Sequence, residues 1–174
     1  MEIGEKEVLK LCSFYVSDWH IVTMLLPYIN KQINENVKII PVFEKSIDKK
    51  IEILVNKLNL KNKEKILNLN WSETSGIKYN IINNLMKENK EDELLIIVNG
   101  NKKYIEMVNE NIMKILRKNK NNLKIKIVNC YEVIEFNNNI QEILDQNDKI
   151  LNTSGERKIE EIFEGYERKI KQVK

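Results

Sequence analysis

Glycine, proline and histidine are scarce in this chain of 174 residues, which contains five glycines, two prolines and one histidine. A phosphate-binding loop needs several glycines before a helix, and a zinc site needs several His or Cys ligands. The segment Asn99-Gly-Asn-Lys-Lys103 lies at a predicted strand–helix junction, but it has one glycine and no Ser or Thr after its lysines. We therefore predict no ATP hydrolysis, no metal centre, no cofactor and no catalytic residues.

Disulfide-forming cysteines, long apolar runs and net charge are also in short supply. The only two cysteines, Cys12 and Cys130, fall in predicted buried strands, which favours core thiols in a reducing cytosol. No apolar run approaches the roughly 20 residues of a membrane helix, and residues 1–7 lack the apolar stretch of a signal peptide. The net charge is only +3, and the basic cluster within residues 114–126 has no interleaved aromatic residues. We predict a cytoplasmic protein without a nucleic-acid or membrane partner.

The segment of residues 9–29 predicts a strand that runs directly into a helix. Residues 9–16 are nearly all apolar or aromatic, as in a strand covered on both faces. Ser17 and Asp18 follow as helix N-cap residues, and apolar residues then recur at helical spacing at Ile21, Met24, Leu25, Tyr28, Ile29 and Ile33. This pattern is the first half of a βαβ unit.

Further strands are predicted at residues 37–43, 66–71, 94–98, 123–128 and 149–152, with amphipathic helices between most of them. Pro41 cannot donate to a sheet ladder, so it predicts an edge strand or a bulge. The alternation of strands and helices predicts an α/β fold, with helices on both faces of a mostly parallel sheet in a three-layer sandwich.

Residues 156–174 predict a charged C-terminal helix with about two heptads of apolar spacing. We assign residues 1–153 to an α/β sensor domain and residues 154–174 to a signalling and dimerisation helix, and we expect the natural chain to continue beyond it. The alternative is a terminal helix packed on its own domain. The predicted dimer seam comprises Ile159, Ile162, Phe163, Tyr166, Ile170 and Val173.

Several stretches resemble the MEDS family of bacterial sensory domains. They are Leu11-Cys-Ser-Phe-Tyr15, Leu26-Pro-Tyr-Ile29, Ile66-Leu-Asn-Leu-Asn-Trp-Ser-Glu-Thr74 and Lys124-Ile-Lys-Ile-Val-Asn-Cys-Tyr131. The resemblance covers about residues 9–153. It implies a degenerate RecA/KaiC-like fold at the N-terminus of a histidine kinase or beside a DNA-binding module. The family usually has a His two places before the Cys. Lys10 stands there in this chain, so no role of that His carries over.

Polar and aromatic residues just past the predicted strands form the candidate ligand site, because ligands of such sheets bind at the carboxyl ends of strands. Trp19 and Trp71 could instead be core residues, and His20 could be a solvated first-turn residue. The candidate ligand-binding residues are Ser17, Trp19, His20, Glu44, Trp71, Glu73, Asn99 and Tyr131.

The sequence therefore predicts a non-catalytic input domain of a bacterial signal-transduction protein. The resemblance and the composition favour a histidine kinase of a two-component system as the parent, and sporulation as its setting. The predicted partners are an unknown small molecule or protein as the signal, a second copy in a homodimer, and a downstream kinase or regulator domain. Two alternatives stay open: a protein-docking module without a small-molecule ligand, and a degenerate RecA-like nucleotide-binding protein.

Overall fold

A computed structural model describes residues 8–72, 75–88, 93–119 and 123–168 and shows an α/β fold. The strands are β1 (Val8–Tyr15), β2 (Lys38–Phe43), β3 (Glu93–Asn99), β4 (Lys124–Glu132), β5 (Lys149–Asn152) and β6 (Gly155–Lys158). The helices are α1 (Asp18–Asn34), α2 (Asp48–Lys57), α3 (Lys63–Leu67), α4 (Ser75–Lys87), α5 (Lys102–Lys118), α6 (Phe136–Asp145) and the one-turn α7 (Ile159–Ile162).

The six strands form one sheet in the order β2-β3-β4-β1-β5-β6, and only the β5–β6 pair is antiparallel. Leu11 and Val128 face a core cluster with α1, α2 and α3. Cys12 and Ile127 face the opposite cluster with α4, α5, α6 and α7. The predicted three-layer sandwich around a mostly parallel sheet is therefore confirmed, because alternate side chains of each strand enter opposite helical layers.

Two local predictions from the sequence are confirmed. Pro41 lies in β2, which is the edge strand at one side of the sheet and pairs only with β3. Cys12 and Cys130 are free thiols with no exposed surface. The missing N–H of proline costs no ladder bond on the outer side of an edge strand.

The strand predicted at residues 66–71 is wrong, because this segment ends the short helix α3 and continues as a loop. Ile66 is fully buried and Leu67 is 37% exposed. The indole N–H of Trp71 donates to the carbonyl of Ile66 over 3.0 Å. This bond folds the loop back onto the helix that precedes it, so the segment cannot extend into the sheet.

The predicted C-terminal helix is present as α7, but it does not extend continuously over the described part of residues 156–174. Gly155–Lys158 forms strand β6, which turns back on β5 through Gly155 at φ +100°. The helix that follows, α7, has four residues, and Gly165 adopts φ +77° soon after it. Both glycines have a positive φ, which residues with a side chain rarely adopt. A continuous helix cannot include a residue in this conformation.

The chain beyond α7 packs against its own domain. Ile159 is 1% exposed, and Phe163 and Tyr166 pack against the same core cluster. These three residues of the predicted dimer seam therefore do not lie on one exposed helix face, whereas Ile162 is 44% exposed. Ile170 and Val173 lie outside the described residues.

Two side chains tie this C-terminal segment to the end of α6. The hydroxyl of Tyr166 donates to Asp145 Oδ1 over 2.7 Å. The guanidinium of Arg168 donates to the backbone carbonyls of Asp145 and Asn147. A cation at the C-terminal end of a helix satisfies carbonyls that have no partner within the helix. We call residues 163–168 the C-terminal strap.

Candidate functional site

Ser17 and His20 are engaged by the backbone where β1 turns into α1. The Ser17 hydroxyl accepts the backbone N–H of His20 over 3.2 Å, as an N-cap does. His20 Nδ1 in turn accepts the backbone N–H of Val16 over 2.9 Å. Trp19 is 44% exposed, and its ring centroid lies 5.8 Å from Lys50 Nζ. The predicted N-cap is confirmed, and two of the candidate ligand-binding residues serve this turn.

Asn99 joins the carboxyl ends of three strands. Its amide nitrogen donates to the Tyr15 hydroxyl over 2.8 Å and to the Cys130 carbonyl over 3.1 Å. Burial raises the pKa of Tyr15 to about 12. Asn99 thus ties β3 to the ends of β1 and β4.

Glutamate carboxylates occupy the N-terminus of α5. Glu44 Oε1 accepts the backbone N–H of Asn101 over 3.0 Å, and Glu135 Oε1 accepts that of Lys102 over 3.3 Å. The Asn101 side chain accepts the N–H of Tyr104 over 2.8 Å. A helix N-terminus attracts anions through these free N–H groups. At this junction the chain supplies the anions itself.

The side chains of Trp71 and Tyr131 belong to core clusters on opposite faces of the sheet. Trp71 is 5% exposed, and its ring packs edge-on against Phe43 at 5.6 Å between centroids. Tyr131 is 2% exposed and belongs to the core cluster on the other face of the sheet. Glu73 lies outside the described residues.

The structure therefore brings together only part of the predicted site. Glu44 and Asn99 are neighbours, since the Glu44 N–H donates to the Asn99 carbonyl over 2.9 Å. None of the four cavities described here is lined by Ser17, Trp19, His20, Glu44 or Asn99. Trp71 lines a cavity of about 400 Å³, and Tyr131 lines one of about 580 Å³.

The cavity beside Tyr131 is a groove between α5 and α6, which we call the α5–α6 groove. Its volume of about 580 Å³ lies within the range of small-molecule sites. Its floor is the face of the sheet formed by β4 and β1. The lining residues are Lys10, Ile105, Glu106, Asn109, Glu110, Met113, Lys114, Arg117, Asn129, Tyr131, Glu142 and Gln146.

Three buried asparagines form a hydrogen-bonded chain, and two of them, Asn109 and Asn129, line the groove. Asn109 of α5 donates to Asn129 Oδ1 over 2.7 Å, and Asn129 of β4 donates to Asn147 Oδ1 over 3.1 Å. The Asn147 side chain also donates to the Ile143 carbonyl over 2.7 Å, and the Asn109 side chain donates to the Ile105 carbonyl over 2.8 Å. A polar network at this depth fixes α5 and the end of α6 relative to the sheet.

Charges of opposite sign line the two ends of the α5–α6 groove. Near the carboxyl edge of the sheet, Lys102 pairs with Glu106 at 2.6 Å and with Glu142 at 3.1 Å, which bridges α5 to α6. At the other end lie Lys10 and Arg117. Burial lowers the pKa of Lys10; the carboxylate of Asp148 opposes this shift, and Arg117 adds to it.

The sequence contains signals for this groove, but they lie within strands and a helix rather than just past the strands, where the candidate site was predicted. Lys10 and Asn129 each interrupt a set of alternate strand positions that is otherwise apolar or aromatic, and Asn109 lies on the buried face of α5 beside Ile105 and Ile112. Polar residues at such positions need buried partners. The basic cluster of residues 114–126 does not form one surface. Lys114 and Arg117 line the groove, whereas Lys126 pairs with Glu156 at 2.6 Å on the opposite face of the sheet.

No family model matches the chain, and no curated protein is significantly similar to it. Among the described residues, no three His, Cys, Asp or Glu side chains converge in a way that could hold a metal ion. Within the same part of the chain, no helix combines the length and apolar character needed to cross a membrane.

Proposed function

We propose that this chain is a non-catalytic sensory domain whose ligand binds in the α5–α6 groove. The observation that carries the proposal is the groove itself, about 580 Å³ in volume, with a buried asparagine floor and charged ends. Concave sites with a few fixed polar groups are typical of small-molecule binding. The resemblance to MEDS domains supports a cytoplasmic input domain of a bacterial signalling protein, with a histidine kinase as the favoured parent and sporulation as its setting.

Transmission would run from the groove to the C-terminal strap. Asn129 on the groove floor bonds to Asn147, and the carbonyl of Asn147 accepts from Arg168 over 2.9 Å. Tyr166 and Arg168 both contact the end of α6, which lines the groove through Glu142 and Gln146. A ligand that repositions α6 would therefore change how firmly the strap is held.

The nucleotide-binding alternative fits the geometry less well. The N–H groups of Asn101 and Lys102, where a phosphate would bind, already bond to Glu44 and Glu135. A nucleotide would have to displace two carboxylates and overcome their negative charge.

Ligand binding is tested by a thermal-shift screen of bacterial metabolites on the wild-type chain and on two α5 variants. Met113→Trp places a bulky ring in the groove, whereas Met107→Trp changes a residue that is 44% exposed and does not line it. We expect a ligand that stabilises the wild type and Met107→Trp but not Met113→Trp. It should also alter hydrogen exchange at residues 163–168. If no metabolite binds, or if binding is equal in both variants, the proposal fails.

A protein-docking module is the second candidate function, because apolar side chains are exposed at the carboxyl edge of the sheet. Val16 follows β1 and is 67% exposed, and Ile134 follows the neighbouring strand β4 and is 71% exposed. Trp19 adds further apolar surface. Where exposed apolar side chains group into a patch, the patch marks an interaction site.

A homodimer is part of the proposal, and two surfaces could form it. Light scattering of the wild type, Ile134→Asp and Ile162→Asp distinguishes them. Loss of dimer mass in Ile134→Asp alone would assign the interface to the carboxyl edge of the sheet. Loss in Ile162→Asp alone would assign it to the C-terminal segment. A wild-type monomer at all concentrations would remove the homodimer from the proposal.

A further inference from the structure

The charged residues of the α5–α6 groove are ordered along α5. Glu106, Glu110, Lys114 and Arg117 succeed one another at spacings of four, four and three residues, so they share one face of the helix. The acidic pair lies towards the carboxyl edge of the sheet and the basic pair towards its amino edge. The groove therefore carries a charge gradient along its length.

The basic end has capacity for an anion, because three cations, Lys10, Lys114 and Arg117, face the single nearby carboxylate of Asp148. Lys10 reaches this end from β1, where its backbone N–H, rather than its ammonium group, donates to Asp148 Oδ2. Among the ion pairs formed by the described residues, none involves Lys10, Lys114 or Arg117. A planar guanidinium beside ammonium groups is well suited to bind a carboxylate.

The acidic end has capacity for a cation. Lys102 neutralises part of the charge of Glu106 and Glu142, which leaves this end with a net negative charge. Glu110 forms no ion pair within the described part of the chain. A ligand ammonium group would find carboxylates here, while its anionic group would find cations at the other end.

The distance between the two ends sets the length of the ligand. Seven residues of α5 separate Glu110 from Arg117, and this corresponds to about 10 Å at 1.5 Å per residue. Measured from Glu106, the separation is about 16 Å. An extended peptide spans about 3.3–3.6 Å per residue, so three to five residues cover these distances. Between the ends, Asn109 Oδ1 accepts only a long contact of 3.4 Å and could receive a peptide N–H.

We propose that the α5–α6 groove binds a short zwitterionic peptide of three to five residues. The peptide's C-terminal carboxylate lies between Lys10 and Arg117, and its N-terminal ammonium lies near Glu110. The inference rests on the proposed function, since it names the ligand class of the same groove. The two charges fix the peptide's direction, and its backbone rather than its side chains makes the central contacts.

The probes are trialanine, tetraalanine and pentaalanine, together with tetraalanine that is acetylated at the N-terminus, amidated at the C-terminus, or both. Binding to the full chain is measured by calorimetry, and the site by shifts of the Asn109 and Asn129 side-chain amide signals. We expect the free tetrapeptide to bind and to shift both signals. Each single cap should weaken binding about tenfold or more, and both caps should abolish it.

Arg117→Gln should weaken the binding of tetraalanine at least tenfold. Lys118→Gln should change the affinity for tetraalanine less than twofold, because Lys118 does not line the groove. Both positions are exposed on α5, so neither change threatens the fold. Equal binding of capped and free peptides overturns the inference, and so does equal affinity of the two variants. If no peptide binds while a metabolite binds in the groove, the peptide inference fails and the sensory function stands. If nothing binds there, both fail.

Discussion

Individual polar residues at the carboxyl edge of the sheet complete local hydrogen bonds. Ser17 caps α1, Glu44 caps α5, and Asn99 joins three strand ends. Backbone N–H groups at strand–helix junctions need partners whether or not a ligand binds. A polar residue after a strand therefore predicts a cap as readily as a binding site, and the sequence alone does not separate the two.

Gly100 is required by the close approach of Glu44 and Tyr104. A Cβ atom at this position would lie 2.5 Å from Tyr104 Cδ2 and 2.9 Å from Glu44 Oε1. We predict that Gly100→Ala lowers the free energy of unfolding by about 1–3 kcal/mol, because the contact forces side chains or backbone to shift. Urea denaturation measures the change.

Gly76→Ala is the matched control, since a Cβ at Gly76 has no neighbour within 4 Å. Gly76 lies in the first turn of α4, where alanine should be neutral or stabilising by up to about 1 kcal/mol. Equal stabilities of the two variants would show that the junction tolerates a methyl group at Gly100.

Short elements mark the limit of what the sequence could predict. The alternation at residues 66–71 fits a strand, yet Ile66 and Trp71 are brought together by a turn after α3. Six residues are too few for the spacing of apolar residues to distinguish a strand from a short helix that ends in a turn. A continuous apolar run predicts its strand well, since the buried strand predicted at residues 94–98 is β3.

The C-terminal helix is shorter than the heptad spacing predicts, and its segment packs on its own domain, which is the alternative that the sequence left open. Gly155 closes the β5–β6 turn and Gly165 interrupts the predicted helix, each at positive φ. Two heptads are too few to specify a coiled coil. Asn152-Thr153-Ser154-Gly155 was the local signal of a hairpin that would have corrected the prediction.

Arg168 holds the C-terminal strap against α6. We predict that Arg168→Gln lowers the free energy of unfolding by about 1 kcal/mol and speeds hydrogen exchange at residues 163–168. The reason is that the bonds to the carbonyls of Asp145 and Asn147 are lost. Denaturant titration and exchange mass spectrometry measure the two effects.

Arg157→Gln is the control for this variant. Arg157 makes a 3.9 Å ion pair with Glu161, and both side chains are nearly half exposed. Removing such a pair should change stability by less than about 0.5 kcal/mol and leave the strap protected. Exchange rates that rise equally in both variants would contradict the role of Arg168.

At the scale of the whole molecule, several cysteine thiols and tyrosine hydroxyls are buried in their neutral form. Burial raises the pKa of Cys12 from 9.0 to about 12 and that of Tyr15 to about 12. The pKa values of Cys130 and Tyr131 are also raised, again mainly by burial. Because these groups ionise more readily in the unfolded chain, each favours the fold below its unfolded pKa and loses that contribution as pH rises to its folded pKa.

We therefore predict that stability falls as pH rises above about 9. The expected slope is about 1.4 kcal/mol per pH unit for each group that ionises only on unfolding. Urea titrations between about pH 7 and 10.5 measure it, with Cys12→Ala as the comparison. The Cys12→Ala variant should have a lower free energy of unfolding at pH 7, because the substitution leaves a cavity. Its free energy of unfolding should then fall less steeply as pH rises. Constant stability across this range would contradict the prediction.

Both ends of the described chain lie at the amino edge of the sheet. Val8 begins β1 there, and Arg168 contacts the loop that leads into β5, where the neighbouring Asp148 also accepts from Lys10. A linker from residue 168 back to residue 8 would therefore join two points at the same edge of the sheet. New ends could then be opened in the turn of residues 152–155, where Thr153 and Ser154 are exposed between β5 and β6. The domain is thus suited to circular permutation.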